Sequence, residues 1–267
     1  MDAGLLRAIG EEIGRRLTEQ EVQRVSDLGS GRFLLRFATP DRDNLLISVR
    51  PDLPRLYLMP RGGGHREIPH GPFAAALDRD LTGARLETIR IPPGERIADL
   101  GFRRADSEGA RVTRRLVAEL FGRAASAHLL DAAGIVLATT RRGEARGWSA
   151  ATGEPYRPPA ARPTLQEAST DAEAGTLPGS DPPVFEVHSV RPLEELTEEV
   201  PIGRDDLVLA GGPGREPPPA AATGRPRHVT RFTSPSEAAA AVFERLERRR
   251  DFEAERARHQ ARARKEV

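Results

Sequence analysis

A carboxylate and a guanidinium stand side by side at Glu95 and Arg96, inside the stretch PPGERIADLGF. A second carboxylate, Asp2, heads the first amphipathic run, MDAGLLRAIGEEIGRRL. A guanidinium fork suits bidentate pairing with phosphate and stacking on a base. As successive residues of a strand, Glu95 and Arg96 would project to opposite faces and reach different partners instead of neutralising each other. Both positions also have an ordinary reading. Asp2 is placed to cap a helix with its side-chain oxygens, and Glu95 and Arg96 read equally as solvated charges after a Pro-Pro-Gly turn.

Other chemistries fail on residue type or spacing. His65 and His70 are five apart and have no acidic or cysteine companion at ligand spacing, so no metal site is expected. RGGGHRE has no Gly-Lys-Ser/Thr continuation and is not a phosphate loop, and GGPG lies in Pro-rich surroundings. There is no Gly-x-Ser-x-Gly elbow. The absence of cysteine removes disulfides, zinc ribbons and thiol nucleophiles together. No catalytic residue, metal or cofactor is expected.

Three regions would position these residues. Residues 1–160 look folded. Leu5, Leu6, Ile9, Ile13 and Leu17 fall at helical spacing, with Glu11, Glu12, Arg15 and Arg16 on the opposite side. EVQRVSDLGSGRFLLRFATP reads as two strands joined by a Gly-Ser-Gly turn, followed by strands at NLLISV and RLYLMP. GPFAAALDRDLTG is a short helix ending near Gly83. ARLETIRI, RIADLGF, RVTRRLVAELF and a hairpin turning at Ala132–Gly134 complete a sandwich-like α+β domain.

Residues 161–232 read as a Pro/Gly-rich linker with little regular structure, in which PPVFEVHSV and DLVLAGG form isolated strands. Residues 233–267 read as a charged helix. Ser234 is its N-cap, Pro235 its first helical residue and Glu237 the reciprocal acid of a capping box. Val242, Phe243 and Leu246 give it a narrow apolar seam, which calls for a partner.

The 267-residue length allows one sizeable core, but 4% aromatics with 23 Pro and 25 Gly mean that not all of it is core. A net charge of +1 with 30% charged residues gives no global nucleic-acid signal, so any basic surface must be local. Lys265 is the only lysine, and every other basic residue besides histidine is arginine. No basic-then-apolar leader opens the chain, and no apolar run approaches the ~20 residues of a membrane span. A cytoplasmic protein without membrane contact is therefore expected.

Read in order, MDAGLLRAI, DNLLISVRPDLPRLYL, LTGARLETI, PPGERIADLGF, RLVAELFGR, LLDAAGIVL and GEPYRPP resemble the N-terminal domain of the NFACT family, the fibronectin-binding protein A-like proteins. RFTSPSEAAAAVFERLERRR resembles the entry to that family's coiled-coil arm. The resemblance implies a fold similar to the N-terminal part of formamidopyrimidine-DNA glycosylases. It does not imply their chemistry, because the chain opens Met1-Asp2 and lacks the N-terminal proline nucleophile. In the family's bacterial ribosome quality-control (RqcH-type) members, the protein binds large ribosomal subunits carrying peptidyl-tRNA and recruits alanyl-tRNA. By position, the tRNA-handling residues correspond to Asp2, Glu95 and Arg96, with Arg7, Arg79 and Arg123 as further candidate RNA contacts.

The chain also departs from the family pattern. Glu95 stands where the family has Asp, Asp78 and Asp80 replace a basic run, and Ala124, Ala125 and Ser126 replace His-Ser-Asn. The helix-hairpin-helix domain, the second coiled-coil strand and the C-terminal RNA-binding domain are not recognisable, so a divergent short homologue is expected. Three readings stand: a ribosome- and tRNA-associated binding protein, an interaction module whose helical arm docks on a coiled-coil partner, and a fibronectin-binding adhesin.

Overall fold

The computed structural model describes residues 1–59, 67–105, 109–140, 151–159, 184–189, 191–197, 207–211 and 228–263. His65, the GGPG stretch and most of the expected linker lie outside these residues.

Helix α1 (Ala3–Leu17) buries Leu5, Leu6, Ile9, Ile13 and Leu17, the stripe its spacing predicts. Gly10 lets the helix lie close to its neighbour: a Cβ there would stand 2.6 Å from Ile91 Cγ1. One residue departs from the expected polar side. Glu12 is buried, for a reason that lies at the other end of the chain.

Strands β1 (Val22–Gly29), β2 (Arg32–Phe37), β3 (Asn44–Ser48) and β4 (Arg55–Met59) form a four-stranded antiparallel meander. Gly29 pairs with Arg32, leaving Ser30 and Gly31 as a two-residue hairpin loop with φ of 55° and 74°. Such loops need positive φ at both positions, which glycine supplies freely and serine adopts less readily. Helix α2 (Pro72–Leu81) starts on a proline and packs Phe73, Ala74, Leu77 and Leu81 inward. Strands β5 (Arg85–Arg90), β6 (Ile97–Ala105), β7 (Arg111–Glu119), β8 (Ser126–Leu130) and β9 (Val136–Thr139) form a second antiparallel meander. The β8–β9 turn is where it was expected: Asp131 accepts the Gly134 N–H on its backbone oxygen and the Ile135 N–H on Oδ1.

The two strands expected to stand alone do not. β10 (Phe185–Ser189) lies between β11 (Leu207–Gly211) and β12 (His228–Phe232), antiparallel to both. Phe185, Val187 and Ser189 alternate inward with Glu186 and His188 outward, giving one apolar face, and helix α3 (Pro235–Ala263) packs against this small sheet.

Helix α3 also corrects the sequence reading. Its apolar seam is covered within this chain. Ala238, Ala239, Ala240, Val242 and Phe243 are buried, and the Phe243 ring stacks on Tyr57 of β4 at 6.4 Å between centroids. From Glu253 to Arg262 the helix is exposed. At its start, Ser234 Oγ accepts the Glu237 N–H at 3.1 Å, as a cap should. The acid serving this terminus is Glu12 of α1: it accepts the Ser234 hydroxyl at 2.7 Å and the Ser236 N–H at 3.1 Å.

Three turns later, Glu247 receives three arginines. Arg55 reaches it at 2.5 Å, Arg32 at 2.9 Å and Arg50 at 3.0 Å. Arg55 is wholly buried and Glu247 nearly so. A main core runs from α1 and the first sheet through to β10 and α3. A smaller one gathers Ile97, Val117, Leu130 and Val136, with Phe121 and Tyr156 packed against it.

Candidate functional site

Gly14 of α1 lies against Ile89 and Gly10 against Ile91, so β5 runs antiparallel to α1 and delivers the residues after Ile91 to the helix's N-terminal end. There the chain turns, with the Glu95 N–H on the Pro92 carbonyl at 3.1 Å, and β6 begins only at Ile97. Glu95 is therefore half-buried in a turn, and the alternation expected of two strand residues does not govern this pair. Arg96 is exposed, its carbonyl accepts the Leu120 N–H at 2.8 Å, and its guanidinium lies 5.6 Å from the centre of the Phe121 ring. That is a cation–π distance.

Asp2 fills its ordinary role as N-cap, accepting the Leu5 N–H at 2.9 Å. It shares one neighbour with Arg96, the amino group of Met1. The amino group of Met1 has a lowered pKa, through burial first; the Asp2 carboxylate acts on it in the raising direction and the Arg96 guanidinium in the lowering direction. Asp2 and Arg96 thus both act on the Met1 amino group, and Glu95 directly precedes Arg96 at the end of the turn that follows β5.

The other candidate arginines divide. Arg123 lies two residues after Phe121, exposed in the short 3-10 turn Gly122–Ala124. Arg7 lies about 7–8 Å along α1 from Asp2, ion-paired with Glu11 at 3.4 Å. Arg79 is elsewhere. Its carbonyl accepts from Arg104, eight residues and about 26 Å along β6 from Arg96. Its guanidinium is held by Asp80 at 2.6 and 2.9 Å. Asp80 is buried between Arg79 and Arg114; burial pushes its pKa up, but the bonds from these two arginines hold it below the ordinary carboxylate value. Asp78 accepts the Thr82 hydroxyl at 2.8 Å. The acids that replace the family's basic run are thus bonded within the chain.

Sequence reasoning missed the ring beneath Arg96 and what lies behind it. Glu119 is buried and accepts the Ser126 hydroxyl at 2.7 Å and the Tyr156 hydroxyl at 2.9 Å. His128 Nε2 stands 3.1 Å from Ser126 Oγ and 3.6 Å from Glu119, while its Nδ1 meets Thr139 at 2.9 Å. Serine, histidine and glutamate recur in hydrolases, but here the hydroxyl is turned to the carboxylate and is 1% exposed, so no substrate reaches it. The only available signal was that Phe121 and Tyr156 lie inside two of the recognisable stretches, ELFGR and GEPYRPP.

Among the described residues no group of three or more His, Asp or Glu is placed to hold a metal, and no helix is long and apolar enough to cross a membrane. The groups available near Phe121 are the exposed Arg96 guanidinium at a cation–π distance from the ring and the exposed Arg123.

The solved structures similar to this chain share its fold. They include the N-terminal domain of the fibronectin-binding protein PavA from Streptococcus pneumoniae, 20% identical with a TM-score of 0.56 over 60% of this chain and 62% of that one. The N-terminal part of the fibronectin/fibrinogen-binding protein of Streptococcus suis is 21% identical, with a TM-score of 0.56 and the same coverage of both chains. The fibrinogen-binding protein of Staphylococcus aureus is 20% identical, with a TM-score of 0.52 over 60% of this chain and 57% of that one. The chain thus spans about three fifths of these structures. No curated protein matches it. The family model for the NFACT N-terminal and middle domains matches residues 2–176, and this chain belongs to the NFACT family.

Proposed function

We propose that this chain binds tRNA on the large ribosomal subunit, as the ribosome quality-control members of its family do, through Asp2, Glu95 and Arg96. The observation supporting this reading is the exposed Arg96 guanidinium at a cation–π distance from the Phe121 ring, with Arg123 two residues further along the chain from that ring. A guanidinium drawn to the face of a ring keeps its outer N–H groups for a phosphate or a base. The protein acts as a cytoplasmic, non-catalytic adaptor, a head whose main core also takes in β10, β11 and the start of α3. The reading does not extend to alanine tailing, because Glu95 is one methylene longer than the family's Asp.

The test is to recover tagged protein from cells with stalled ribosomes and sequence the bound RNA. Enrichment of tRNA that is lost in Arg96→Ala supports the reading. Large-subunit RNA without tRNA leaves a scaffold. No RNA, together with capture on immobilised fibronectin, favours the adhesive role named for the structural neighbours.

A further inference from the structure

We propose that Glu119 is a positioning residue for Arg96, acting through a buried hydrogen-bonded network that Tyr156 closes. This inference rests on the tRNA-binding reading and names a residue that reading does not contain. Three consecutive residues, the last of β7 and the two after it, meet Arg96 or the residue beside it. Glu119 pairs with Ile97, the residue after Arg96; the Leu120 N–H donates to the Arg96 carbonyl at 2.8 Å; and the Phe121 ring carries the Arg96 guanidinium. Whatever fixes Glu119 therefore fixes both the backbone and the side chain of Arg96.

Glu119 is fixed from several sides. Ser126 and His128 come from β8 and Thr139, behind His128, from β9. Tyr156 belongs to the 151–159 segment, which adds to the sheet edge through Val136 N–H to Glu154 O at 2.9 Å and Tyr156 N–H to Gly134 O at 2.9 Å. Burial pushes the Glu119 pKa up, but the neighbouring His128 ring and the bonds from Ser126 and Tyr156 outweigh it, so the pKa stays below its ordinary value. A buried ionised carboxylate is costly unless every lone pair is used, and then it specifies one arrangement of the groups around it. The catalytic alternative fails on access, which leaves orientation as the use of these groups. The His128 and Tyr156 rings, 5.3 Å apart, close the network on the side of the small core that also packs Phe121.

The test uses the full chain with Tyr156→Phe, which removes one hydroxyl and leaves the ring, and Glu119→Gln as a second variant. Far-ultraviolet circular dichroism confirms folding of each. The first readout needs no RNA. The Arg96 Nε–H resonance is displaced by the Phe121 ring current, and both variants move it toward its unstacked position. The second is affinity for fluorescently labelled unfractionated tRNA. Tyr156→Phe weakens binding about fivefold in the parent, as the loss of one hydrogen bond's orientation would, and by less than about 1.5-fold beside Arg96→Ala. An unmoved Arg96 resonance, or an equal loss in both backgrounds, overturns the positioning role. An Arg96→Ala chain that binds tRNA as the parent does overturns the binding reading instead, and the resonance still decides the inference.

Discussion

Replacing Glu247 by alanine removes the one carboxylate on which Arg32, Arg50 and Arg55 converge. The three do not suffer equally. Arg50 keeps Asp52 and Asp251, and Arg32 keeps the carbonyls of Leu28 and Gly29. Arg55 has no exposed surface and retains the Leu53 carbonyl at 3.0 Å and the Ser48 hydroxyl at 3.3 Å. Neither carries a charge. Leaving a buried charge without its counter-ion costs about 3–5 kcal/mol, and the partial exposure of Arg32 and Arg50 adds little. With a urea m-value of about 2 kcal/mol/M, the midpoint falls by about 1.5–2.5 M. Because Arg55 regains water once α3 lifts away, trypsin cuts Glu247→Ala within 245–250 before it cuts the head. Removing the pair together, as Arg55→Met with Glu247→Met, recovers most of the loss, since a packed apolar pair is an adequate substitute for a buried ion pair. A midpoint within about 0.5 M of the parent for Glu247→Ala would refute the view that this cluster holds α3 on the head.

Three further outcomes follow from the contacts. Glu12→Ala leaves the buried Ser236 N–H without its acceptor and lowers stability by about 1–3 kcal/mol, read as a fall in thermal midpoint. Gly10→Ala drives a methyl into Ile91, where the gap is 2.6 Å, and costs about 1–3 kcal/mol; adding Ile91→Ala relieves the clash, so the two changes together cost less than their sum. Glu119 and Asp80 both have folded pKa values below their ordinary ones. Each therefore contributes stability above its unfolded pKa, about pH 4, which is lost as pH falls through the folded value. Urea midpoints between about pH 7 and 3 fall on that acid limb, and Glu119→Gln flattens it.

Local periodicity made much of the fold readable. The α1 stripe, the Gly-Ser-Gly turn and the alternation within the meanders each lie within a few residues of chain, where spacing alone distinguishes inside from outside. Glu12 was misplaced because its partners are Ser234 and Ser236, more than 220 positions away, and a helical wheel cannot show a second helix landing on its polar side. Arg55 and Glu247, 192 positions apart, were hidden for the same reason. The seam of Val242, Phe243 and Leu246 correctly announced a partner, but not that the partner is the chain's own β4 and small sheet. At the site, the charged residues were legible by resemblance. Phe121 and Tyr156 were not, because an aromatic residue at a strand end looks the same whether it fills a core or carries an arginine.

The most direct measurement is fluorescence anisotropy of labelled tRNA titrated with the parent and with Arg96→Ala, each at about 50 and 200 mM salt. The patch predicts that Arg96→Ala binds about tenfold more weakly at the lower salt and depends less steeply on salt, as the loss of one guanidinium contact requires. Equal affinities and equal salt slopes for the two proteins would contradict it.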